Sequence, residues 1–163
     1  MAVQAPVSDR EGAMLEPNYK ANIQIAKELV AQSKGDEMMP RHVFWAPILA
    51  QRFLDLQDIG GADDFFSSDF TDEQLVERLG HVGSHEKLKL LVAYSGSDEY
   101  VPKHVDRKLL TNRLVDAMNK KCQGDNVVAE AFYIETGNHN LAEGSGDGDK
   151  FVDKVAELLK NAI

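Results

Sequence analysis

The fold the sequence predicts is α/β: three parallel strands flanked by helices, with a helical insertion after the first strand. Three observations predict it. Two apolar runs, Leu88–Tyr94 and Val127–Ile134, read as strands, and each ends in a glycine-containing loop. Between them Lys103–Lys121 reads as a helix, so the two strands are parallel and joined by a crossover. A third short strand, Ala2–Val7, stands at the start of the chain and a helical stretch, Asp149–Ala162, near its end. The expected strand order is first–second–third, with helices on both faces.

Each element has a local reason. Ala2-Val3-Gln4-Ala5-Pro6-Val7 is a short apolar run broken by its proline. Pro17 to Lys34 follows as a helix, with Tyr19, Ile23, Ala26 and Val30 spaced for one apolar face and Gly35 as its stop. Met38-Met39-Pro40, Ala46-Pro47 and Gly60-Gly61 then punctuate an irregular stretch, with a short helix over Ile48–Leu56. Thr71, with Gln74 three residues on, marks the capped start of a brief helix that Gly80 ends. Residues 9–86 therefore form a mostly helical insertion within one 163-residue domain. Three strands leave two open sheet edges, and the one at Ala2–Val7 is expected to bind a protein partner or a second copy of the chain.

Composition narrows the function. A net charge of −9 opposes binding to a phosphate backbone, so no nucleic-acid partner is expected. Cys122 is the single cysteine, which excludes an intrachain disulfide and favours a reducing, cytoplasmic setting. The apolar run Val43–Ala50 holds Pro47 and is too short to cross a bilayer; residues 1–8 read as a strand, not a signal peptide.

The chemistry gathers where the later strands run out. Tyr94-Ser95-Gly96-Ser97-Asp98-Glu99-Tyr100-Val101-Pro102 follows one, and Thr136-Gly137-Asn138-His139-Asn140-Leu141 the other. Parallel strands put both loops at one edge, the carboxyl ends where open α/β sheets place their sites. Asp98 and His139 are thus the candidate catalytic residues, an acid orienting an imidazole that serves as general base. Glu99 next door is an alternative acid. As a bland alternative, Asp98 is a helix-capping turn residue and His139 a solvent-facing loop histidine.

These two loops resemble those after the seventh and eighth strands of the α/β-hydrolases, which carry the triad acid and histidine. Together with Ala5-Pro6-Val7-Ser8-Asp9-Arg10-Glu11, they are similar to a poorly characterised fungal and plant family in which some fungal members hydrolyse siderophore esters. The resemblance covers the whole chain and the carboxyl-terminal half of that family's length. It implies a partial α/β-hydrolase fold beginning at the sixth strand, residues 9–86 as a helical cap or lid-like insertion, and a small ester as substrate. It also implies Asp9, after the first strand, as another alternative acid. One feature departs from the pattern. The nucleophilic serine of that fold sits in a Gly-x-Ser-x-Gly elbow, and none occurs here; Gly144–Gly148 lacks glycine at the required offsets. Alone, the chain is expected to be inactive, either an acid–base half of a serine hydrolase or a non-catalytic structural subunit.

No cofactor or metal is expected. His81, His85 and Glu86 lack a third ligand and a zinc-helix spacing, and Glu143, Asp147 and Asp149 lack calcium-loop spacing. Phe44, Trp45, Ile48, Phe53 and Leu54 either line an acyl site or dock short helices. Lys103, His104, Arg107, Lys108 and Arg113 read as a solvated basic stripe.

Overall fold

The computed structural model describes residues 1–142 and 146–160. They divide into two compact units, Met1–Val7 with Ser68–Ile163, and Ser8–Ser67.

The first unit holds a three-stranded sheet in the order β1 (Ala2–Gln4), β2 (Leu90–Ser95), β3 (Ala129–Ile134). Both pairings are parallel, with Ala2 opposite Leu91 and Leu90 opposite Ala129. All six residues of β2 are buried, and since successive side chains point to opposite faces, both faces of this strand are covered. The apolar run in the sequence reflects that double burial.

β1 ends at Gln4 and not at Val7. Ala5 still donates its N–H to the Ala93 carbonyl, at 2.9 Å, but takes a left-handed φ of 51°, and Pro6 has no N–H to continue the ladder. β3 begins two residues later than its apolar run. The Asn119 side chain accepts from the N–H groups of Val128 and Ala129 and donates to the Ala129 carbonyl, which fixes where pairing starts.

Ser8 caps α1 (Asp9–Ala13) by accepting from the Glu11 N–H, and α2 (Tyr19–Ala31) and α3 (Ala50–Gln57) follow. Their core is Ile23, Ala26, Met39, Val43, Ile48, Ala50 and Phe53, with Phe44 and Leu54 packed against it. Beneath α1 lies a polar cluster that the sequence did not disclose. Arg10 and Asp64, both about 1% exposed, pair at 2.6 Å; Ser67 donates to Asp64, and its hydroxyl meets that of Ser8 at 2.6 Å.

The insertion does not extend to residue 86 as a unit. α4 (Asp72–Leu79) and the 3-10 turn Gly80–Ser84 pack on α5 (Arg107–Asn119), within the sheet unit. The predicted capping box is present, Thr71 and Gln74 exchanging hydrogen bonds of 2.9 and 3.3 Å. α5 starts at Arg107, later than Lys103, because the Asp106 side chain caps it and Pro102–Val105 closes a turn before it. α6 (Asp147–Lys160) starts two residues early, at a buried Asp147. The predicted end at Ala162 lies outside the described residues. Both α5 and α6 contact β2.

Candidate active site

The β2 and β3 ladder continues into the two loops beyond it. Gly96 donates to the Ile134 carbonyl and Ser97 to that of Gly137, at 2.8 and 2.9 Å. The approach is so close that a Cβ at Gly96 would run into the Glu135 main chain, and one at Gly137 would come to 2.7 Å from Leu141. Glycine is needed here for space, since neither position has a left-handed backbone.

The zipped loops bring Asp98 onto His139. Asp98 Oδ2 lies 2.9 Å from His139 Nδ1, with the carboxylate fully buried and the imidazole 35% exposed. Oδ1 accepts from the Tyr100 N–H at 3.0 Å, so each carboxylate oxygen has a donor. An ionised carboxylate only accepts, so in this pairing Nδ1 is the donor. No hydrogen bond to Nε2 is found among the described residues. The ring is held laterally by Tyr100, edge to face with centroids 4.7 Å apart.

Glu99 has a different task from that of an alternative acid. Its carboxylate accepts from the His139 main-chain N–H at 3.0 Å, a bond that holds the Glu99 carboxyl below its ordinary pKa. Asp9 opens α1 in the other unit, and the imidazole Nδ1 is taken by Asp98. The Gln4 side chain donates to the His139 carbonyl at 2.6 Å. Behind the histidine loop, Thr136 donates to Asp147, which also pairs with Lys150 at 2.7 Å; the Lys150 bond, then that of Thr136, holds Asp147 below the usual carboxylate range.

The basic stripe is not wholly a solvated face. Arg107 turns inward and donates to the carbonyls of Asp98 and Val101, bracing the acid loop. Arg113 pairs with Asp72 and donates to the carbonyls of Ser68 and Phe70. No sequence pattern separated these two arginines from exposed Lys103 and Lys108, because their partners lie far along the chain or in main-chain carbonyls. Two buried polar atoms, Ser95 Oγ and Arg107 Nε, have no partner among the described residues.

The remaining candidates do not join this constellation. His81, His85 and Glu86 are exposed on and just after the 3-10 turn. Asp147 binds Thr136 and Lys150, Asp149 is exposed in the first turn of α6, and Glu143 lies outside the described residues. Phe53 and Ile48 belong to the core of the second unit, whereas Trp45 is 87% exposed. No helix among the described residues is long and apolar enough to cross a membrane.

Known proteins share this arrangement of chain. The Aspergillus fumigatus protein named fusarinine C esterase sidJ is 32% identical over an alignment covering 68% of this chain and 40% of its own length. Esterase AN6793 of Emericella nidulans is 33% identical, covering 97% of this chain and 49% of that protein. Among solved structures, the siderophore hydrolase EstB from Aspergillus fumigatus superposes with a TM-score of 0.82 at 27% identity, covering 99% of this chain and 57% of its own. The fold is thus a partial α/β-hydrolase fold, and the chain spans about half the length of these relatives. Residues 1–160 match the model of the family described as protein of unknown function (DUF1749), and the chain belongs to that family, as an α/β-hydrolase-like relative of fungal siderophore esterases.

Proposed function

We propose that this chain supplies the acid and the base, Asp98 and His139, of a serine carboxylic-ester hydrolase. One observation carries the reading: the 2.9 Å bond between a fully buried carboxylate and the Nδ1 of a partly exposed imidazole. In that role Nε2 takes the proton of a serine hydroxyl while the serine oxygen bonds to the ester carbonyl carbon. Collapse of the tetrahedral adduct breaks the ester C–O bond, and the imidazolium returns the proton to the departing alkoxide. Water then repeats the sequence on the acyl-serine, releasing the acid.

The serine comes from a polypeptide segment other than these 163 residues, none of which stands in a Gly-x-Ser-x-Gly frame. That segment docks at the open β1 edge, where the sheet has a neighbour only on the β2 side among the described residues. Siderophore esters are the first substrates to try, in view of what two relatives are named for. The second unit is proposed to act as a cap, and the lone Cys122 suits a reducing, cytoplasmic setting. The absent elbow also favours a second reading, a non-catalytic subunit that keeps the fold for assembly.

Two experiments separate these. A fluorophosphonate probe should leave the isolated chain unlabelled; stoichiometric labelling of any of its serines would overturn the reading. Co-expression with the elbow-bearing half of a relative should produce esterase activity. His139→Ala should abolish most of it, and Asp98→Asn should lower it by roughly 10⁴-fold through loss of the tautomer and of support for the imidazolium. Asp9→Asn and Glu99→Gln should be far milder. Assembled halves that fold yet hydrolyse nothing would leave the assembly reading in place.

A further inference from the structure

Among the described residues, His139 makes no main-chain to main-chain hydrogen bond. Its peptide groups are satisfied by side chains instead: its N–H by Glu99 at 3.0 Å and its carbonyl by Gln4 at 2.6 Å. The two come from different parts of the sheet unit, Glu99 from the loop after β2 and Gln4 from the last residue of β1. Asp98 and Tyr100 then meet the ring itself.

We propose that Glu99 and Gln4 are positioning residues that clasp the main chain of His139 from both sides and thereby set its ring against Asp98. A loop without helix or strand leaves its peptides free to rotate unless something fixes them. Fixing both the N–H and the carbonyl of one residue fixes the axis about which its side chain turns. Glu99 is exposed, yet its bond is charge-assisted, and the lowered pKa of its carboxyl agrees with an acceptor used in its ionised form. The catalytic meaning of the clasp rests on the acid–base reading above; its existence does not.

The test is nuclear magnetic resonance on the full chain, with imidazole nitrogens labelled and amide exchange followed at His139. The parent should give a slow-exchanging His139 amide and a ring protonated at Nδ1. Glu99→Ala should speed exchange by roughly ten- to a hundredfold, as expected for loss of one hydrogen bond to a charged group, and shift the ring toward the mixed tautomers of free histidine. Glu99→Gln keeps an acceptor and should restore most of the protection. Gln4→Met should move the ring signals while sparing the amide. A second measurement needs no variant: in the parent, the His139 amide should respond as pH falls through the lowered Glu99 value. The Asp98 carboxylate and the His139 ring lie beside this amide as well, so the same response must vanish in Glu99→Gln. If Glu99→Ala leaves amide and ring as in the parent, or the parent amide ignores Glu99, the clasp is overturned. Failure to reconstitute an esterase would leave these signals untouched, so the two readings fail separately.

Discussion

Gly96 and Gly137 lie in the two zipped loops but are held to different standards. A methyl at Gly96 meets the Glu135 main chain, which cannot yield without opening the β2–β3 ladder; at Gly137 the nearest atom is the tip of the Leu141 side chain. Gly96→Ala is therefore expected to cost about 2–3 kcal/mol and Gly137→Ala about 1 kcal/mol, in line with overpacking of tight sites. Thermal melts of both variants check this, and the reverse order would mean that the histidine loop is the stiffer partner. At this scale much was legible. Asp98 and His139 could be paired from sequence because both follow strands of one crossover, so topology alone brings them to one edge. Glu99 was seen only as a competing acid, since nothing in a sequence tells whether a carboxylate will reach a ring nitrogen or a main-chain N–H.

At the scale of elements, α1 shows what sequence patterns leave out. Its Arg10 and Asp64 are 54 positions apart and about 1% exposed, and no periodicity connects them. A guanidinium buried with its carboxylate is costly to strand: Asp64→Ala is expected to destabilise the second unit by about 3–5 kcal/mol. Urea unfolding followed by far-ultraviolet circular dichroism measures it, and a loss under about 1 kcal/mol would show that the charge escapes to water. The helices themselves were readable where caps or apolar spacing were strong, as with the Thr71–Gln74 box. Boundaries moved where one atom decided them: the left-handed Ala5 shortened β1, the Asp106 cap delayed α5, and Asn119 delayed β3.

For the whole molecule, the three-stranded parallel sheet was legible because strand–helix–strand alternation leaves little topological choice. The division at Ser67 was not, since α4 looks like its helical predecessors in sequence and differs only in packing on α5. The unpaired side of β1 sets the expected solution behaviour. Light scattering on the isolated chain should find self-association, and a complementary strand should reduce it. A monodisperse monomer whose Ala2–Gln4 amides exchange slowly would show that this edge is already satisfied.

The contacts around His139 also differ in how far along the chain they reach. Asp98 is 41 residues away, within one strand–helix–strand unit, whereas Gln4 is 135 residues away. Closing the longer loop costs about 1 kcal/mol more chain entropy, by the logarithmic dependence on loop length. During folding, the acid–base pair can therefore form as soon as β2, α5 and β3 come together, while the Gln4 bond waits for β1. The Gln4 bond thus ties the histidine loop to the docking of β1 on β2.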